Sequence, residues 1–152
     1  MTKDELFTLL MKDEVRGKII RDAASLEDTM GLAIIFYFTT SKRFEVFEEL
    51  LLNRLGFEAK ISILERIPYK RKYKSLEHLN ILRHLQRVRN IVAHNWHISD
   101  YPKKMKTESW SYLFENWPTT YQEEVRKVNK ALGRIIDTKE FSNHFSPKRK
   151  GT

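Results

Sequence analysis

A chain of 152 residues with 41% apolar and 12% aromatic side chains has the length and composition of one folded domain, not of a disordered segment. It has no cysteine, which excludes disulfide staples, thiol catalysis and cysteine-bound zinc. The 28 lysines and arginines outnumber the 20 acids, and the formal charge of +8 favours an anionic partner without naming it.

The elements read as helices almost throughout. The opening "MTKDELFTLL" carries acids and lacks a small-residue cleavage site, so it is not read as a signal peptide. Thr2 and Glu5 form a capping box that starts a short helix to about Met11. A second helix is predicted from about Asp13 to Phe38, with Ile19, Ile20, Ala23, Leu26, Met30, Ala33, Ile34 and Tyr37 recurring at three- and four-residue steps. The longest apolar run, Leu32 to Phe38, is far short of the roughly 18 residues that span a bilayer. The expectation is a cytoplasmic protein with no membrane contact.

Ser41 is a plausible N-cap for a third helix and Gly56 a plausible stop, with "FEVFEELLLNRL" between them. Phe57 to Ile67 reads as a fourth, shorter helix closed by Pro68. The basic stretch "RIPYKRKYK" follows. In it Arg66, Lys70, Arg71, Lys72 and Lys74 suit phosphates, and Tyr69 and Tyr73 suit stacking on unpaired bases. The alternative is a solvated loop between helices.

Ser75 caps a fifth helix that reaches about His94. Residues 95 to 118 show no clean period, and Pro102 and Pro118 punctuate them. They read as a loop with at most a short helix, in which Trp96, Tyr101, Trp110, Tyr112, Phe114 and Trp117 must find packing partners. Thr120 and Glu123 form a second capping box, opening a last helix to about Asp137. No internal repeat or Gly/Ser linker interrupts the chain. The reading is a single all-α domain over residues 1–138, a helical bundle, followed by a basic tail, 139–152.

The fifth helix carries the chemistry. At about 100° per residue, Arg83, Arg87, Asn90 and His94 fall on one polar stripe. Ile81, Leu85, Val88, Ile91 and Val92 form the opposite, core-facing side, and His84 there reads as a hydrogen-bonded core histidine. Arg89 flanks the apolar face and needs an acceptor. Glu27 lies within the apolar stripe of the second helix and needs a partner too. The two are predicted to pair between helices two and five, with Arg54 or a tyrosine hydroxyl as the other choice for Glu27.

Arg89-Asn90-Ile91-Val92-Ala93-His94 resembles the arginine–four residues–histidine motif of the HEPN superfamily, including the polar residue directly after the arginine. The stretch "FEVFEELLLNRLGFEAKISILERI" is similar to the corresponding helices of its mannitol-operon-repressor-like and DUF4145 branches. The resemblance covers roughly residues 15 to 97. It implies a HEPN-like bundle of four or five helices that dimerises, with the two motif helices facing each other across a composite cleft. It also implies one of two activities. Many members are metal-independent endoribonucleases of toxin, antiphage or RNA-processing systems, and others are catalytically silent modules that bind nucleotides, RNA or proteins. Toxin members silenced by a partner nucleotidyltransferase carry tyrosine two residues after the histidine. Here that position is Trp96, which has no hydroxyl to modify and either packs or stacks on a base.

RNA cleavage without a metal needs a base for the 2′-hydroxyl, an acid for the departing 5′-oxygen, and cations or donors around the phosphorane. His94 is the candidate proton carrier, since an imidazole exchanges protons near neutral pH. Arg89 is the candidate to stabilise the equatorial oxygens or position the phosphate, and Asn90 to orient His94 or donate to phosphate. Glu27, Arg83 and Arg87 are supporting residues; Tyr69, Lys70, Arg71, Lys72, Tyr73, Lys74 and Trp96 are candidate RNA contacts. A homodimer would supply the second histidine, and an antitoxin or regulatory protein is a possible partner. No cofactor and no metal are expected: neither HExxH nor a glycine-rich phosphate loop is present.

Overall fold

Thr2 opens the first helix, α1 (Lys3–Leu10), by the predicted reciprocal bonds. Its Oγ1 accepts from the Glu5 amide at 3.2 Å, and the Glu5 carboxylate accepts from the Thr2 amide at 2.7 Å. The bond from the Thr2 backbone, then that from its side chain, holds the Glu5 carboxyl below the usual range. The computed structural model describes residues 1–39, 43–50, 52–67, 77–94 and 110–136. Ser41, Pro68, Ser75, the 69–74 basic stretch, Trp96, Tyr101, Pro102 and the 139–152 tail lie outside the described residues.

The second helix, α2 (Asp13–Phe38), begins and ends where its periodicity places it, with Asp13 and Glu14 in the first turn, where the helix dipole favours acids. Ile19, Ala23, Leu26, Met30, Ala33 and Ile34 are buried as predicted, and Tyr37 is half-buried. Ile20 is not in the core: it is 41% exposed. The apolar arc on α2 is wider than its neighbours cover, so a residue at the arc's edge stays wet.

The predicted third helix is broken. Helix α3 (Phe44–Leu50) gives way to a 3-10 turn at Leu52–Arg54. Gly56 does not stop it. With φ −73° and ψ 170° Gly56 is the N-cap of α4 (Phe57–Arg66), whereas the glycine stop signal needs a left-handed residue. Ile67 follows in extended geometry, the conformation required of a residue before proline.

Helix α5 (Glu77–His94) ends at the predicted residue. Within the stretch read as a loop, a 3-10 turn forms at Ser111–Phe114. Of its aromatic residues, those among the described ones do find partners: Trp110 and Phe114 are buried, and Phe114 stacks on Trp117 at 5.5 Å between ring centroids. The last helix, α6 (Thr119–Ile136), starts one residue before Thr120. Thr120 is therefore inside the helix and cannot be its N-cap, because the turn over Pro118 has already begun the helical path: the Gln122 amide donates to the Pro118 carbonyl at 3.0 Å.

Every regular element among the described residues is helical, and the fold is an all-α bundle. Helix α2 is its spine. Helices α4, α5 and α6 pack along it, and α5 also lies against both α4 and α6. Leu26, Met30, Leu82, Leu85, Val88, Val128 and Leu132, from α2, α5 and α6, are all buried in one apolar cluster. Truncating any of the leucines to alanine would cost about 2–5 kcal/mol. No helix of the described residues is long and apolar enough to cross a membrane.

Candidate functional site

The core side of α5 fixes where its polar side must face. Ile81, Leu85, Val88 and Val92 are buried and Ile91 half-buried. Arg87, Asn90 and His94 are therefore turned outward and are exposed, and Arg83 is half-buried. His84, on the flank toward α6, is half-buried with its ring edge-on to Tyr112 at 6.2 Å between centroids.

Arg89 does not reach Glu27. Its Nη1 donates to Asn90 Oδ1 at 3.0 Å, along its own helix. Glu27 is taken by a residue the sequence reading left out: Lys60 of α4 stands with Nζ 3.6 Å from Glu27 Oε1 and donates to the Glu27 carbonyl at 3.5 Å. Among the described residues neither Arg54 nor a tyrosine is the partner. The reason lies in packing. Helix α4 lies against α2, and a buried lysine on it satisfies the acid.

The bond to Asn90 changes the shape of the motif. Residues five apart on a helix point about 140° away from each other, so Arg89 and His94 would not face one ligand by helix geometry alone. Asn90 stands one turn before His94, where side chains are about 5–6 Å apart at Cβ. Arg89 is half-buried, and its guanidinium bonds Asn90, which is exposed on the polar stripe. Arg89 and Asn90 are thus joined in the turn that precedes the exposed His94.

The stripe's other end is committed to α4. Arg83 Nη2 pairs with Glu65 at 2.8 Å and its Nε with Glu58 at 3.9 Å. Its charge is offset by two carboxylates, which weakens it as an anion surface. Glu27, paired with Lys60, supports the α2–α4 joint and not the motif. Arg66 is exposed at the end of α4.

Three polar contacts were missed by the sequence reading. Arg16 Nη2 of α2 donates to the Val92 carbonyl at 3.2 Å. Lys60 is only 7% exposed. Glu124 of α6, 6% exposed, accepts from the Tyr112 hydroxyl at 3.2 Å and from Lys127 Nζ. A signal existed for two of them: Lys60 interrupts the stripe Phe57, Ile61, Leu64, and Glu124 the stripe Tyr121, Val128, Leu132, at core spacings. Burial, then the charge and bond of Glu124, pushes the Tyr112 phenol up to about 12. Burial, then Asp22, raises Tyr121.

Among the described residues no three His, Asp or Glu side chains stand close enough to share a metal ion. In comparisons with known proteins, no family model, no curated protein and no solved structure matches this chain.

Proposed function

We propose that the chain is a HEPN-like endoribonuclease that cleaves RNA without a metal ion, as a toxin or antiphage defence effector. The observation that supports this reading is the Arg89–Asn90 hydrogen bond, made one helical turn before the exposed His94 at the end of α5. The all-α bundle and the excess of positive charge agree with the reading.

The chemistry follows from what each group can do. The 2′-oxygen attacks the adjacent phosphorus while the bond to the 5′-oxygen breaks. One imidazole takes the 2′-proton, and a second, from another copy of the chain, protonates the leaving oxygen. Arg89 neutralises charge on the equatorial oxygens. Asn90 Oδ1 holds the guanidinium, and its amide nitrogen is left to donate to phosphate. The products are a 2′,3′-cyclic phosphate and a 5′-hydroxyl. Lys70, Arg71, Lys72 and Lys74 would extend the contact with the RNA backbone, with Tyr69, Tyr73 and Trp96 as stacking surfaces.

The test is incubation of purified protein with end-labelled RNA in EDTA, beside His94→Ala and Arg89→Ala. Each variant is expected to lose about 10²- to 10⁴-fold in rate, and sedimentation to report a dimer. A wild-type protein that cuts nothing the variants leave intact overturns the reading. RNA retention that depends only on Lys70, Arg71 and Lys72 would then favour the alternative, a catalytically silent regulator or RNA- or partner-binding module similar to the mannitol operon repressor.

A further inference from the structure

Arg16 lies in the first turns of α2, and its guanidinium crosses to the far end of α5, where Nη2 donates to the Val92 carbonyl oxygen at 3.2 Å. Val92 stands two residues before His94, in the last turn of the helix. The carbonyls of a last turn have no amide of their own helix to pair with, and a cation there also faces the negative end of the helix dipole. The Nε of the same guanidinium is buried without a hydrogen-bond partner. That is a desolvation cost which an arginine extended into water would not carry. The side chain is therefore held inward against its own hydration, and the contact is not a surface accident.

We propose that Arg16 is a positioning residue. It clamps the last turn of α5 and so fixes where the His94 imidazole points. It touches neither substrate nor reacting atoms and acts through His94, so its catalytic consequence rests on the reading given above. Nothing in the arginine–four residues–histidine motif contains it, because it comes from another helix 76 residues away in sequence.

The experiment compares wild type with Arg16→Gln and Arg16→Lys by amide hydrogen exchange over residues 88–94 and by kcat and KM on labelled RNA. Glutamine is too short to span the contact, while lysine keeps one charged donor. In Arg16→Gln, exchange over 88–94 is expected to quicken about tenfold, the effect of losing one hydrogen bond, with α6 unchanged. Its kcat is expected to fall about 10- to 100-fold, the scale of a small misplacement of a catalytic group, with KM within about twofold. Arg16→Lys is expected to recover most of both. A merely structural role would quicken exchange in every helix alike and leave the turnover of folded protein unchanged. Unaltered exchange over 88–94 in Arg16→Gln overturns the clamp, as does an unaltered kcat in an otherwise active enzyme. Wild type without His94-dependent cleavage removes the ribonuclease reading alone, and the exchange measurement still decides the clamp.

Discussion

Lys60 and Arg89 are both cations set at the margin of an apolar helical stripe, yet they end in different surroundings. Lys60 is buried and crosses between helices, meeting both the carboxylate and the carbonyl of Glu27. Arg89, half-buried, stays on its own helix and bonds the neighbouring side chain. One contact joins two elements and leaves little donor capacity unused. The other joins no second helix among the described residues and uses one of a guanidinium's five donors there. Charges that hold a bundle together tend to be spent across helices; charges whose bonds stay local are the ones a ligand can use.

The sharpest way to break this comparison is to truncate both. Lys60→Ala removes the packed stem as well as the charge and leaves Glu27, which is partly solvated, without its partner. A loss of about 2–3 kcal/mol is expected in urea unfolding, somewhat below the cost of orphaning a fully buried charge. Arg89→Ala removes a half-buried side chain whose hydrogen bond stays within its own helix, and should cost no more than about 1 kcal/mol. If Arg89→Ala proves the more destabilising of the two, the division between structural and available charge fails.

The same contrast explains what could be read from the sequence. Helix existence, both ends of α2 and the last residue of α5 were legible, because hydrophobic spacing at three and four residues reports directly on which side of a helix is dry. The outward turn of Arg87, Asn90 and His94 followed from that spacing alone. The partner of Glu27 did not. Periodicity shows that a charge sits near a core face, but not which neighbouring helix reaches it first, and Lys60 gave the same signal on a helix whose packing could not be foreseen. Gly56 and Thr120 failed for a related reason. A glycine can end one helix or begin the next, and a Thr-x-x-Glu spacing can lie one residue inside a helix as well as at its start. The Arg16–Val92 bond could not be read at all, since a backbone carbonyl leaves no mark in a residue pattern.

A second, smaller effect sharpens the comparison at the α5–α6 side. Glu124 is buried like Lys60, but two donors share it, the Tyr112 hydroxyl and Lys127 Nζ. Tyr112→Phe removes one of them and is expected to cost about 1.5 kcal/mol at neutral pH, the low end for a bond to a charged group. The phenol adds a pH signature. Burial first, and then Glu124, raises it from 10.0 to about 12. A group whose folded value lies above its unfolded one contributes stability that is complete below the unfolded value and lost as pH rises through the folded one. Wild type should therefore lose stability between about pH 10 and 12, and Tyr112→Phe should lose less over the same window. Tyr121, also raised, contributes to the loss in both proteins. Urea midpoints at pH 9 and pH 11 measure the difference, and identical slopes in the two proteins would remove Tyr112 as its source.

The smallest expected effect divides the α5 stripe itself. Arg83 and His94 stand on the same face, but Arg83 is bound to Glu65 and Glu58 of α4. Its pairs are partly exposed, with Glu58 more than half so, and such pairs contribute about 0.2–1 kcal/mol. Arg83→Ala should lower stability within that range, less at high salt because exposed pairs are screened. RNA cleavage should stay within about threefold of wild type, since the substitution removes a charge that the two acids already offset and does not touch the Arg89–Asn90 bond. A loss of cleavage approaching that of His94→Ala, at unchanged stability, would mean that nucleic acid displaces Glu58 and Glu65 from Arg83. The functional surface would then run the length of α5, and the separation of its two ends into a structural half and a ligand-facing half would be wrong.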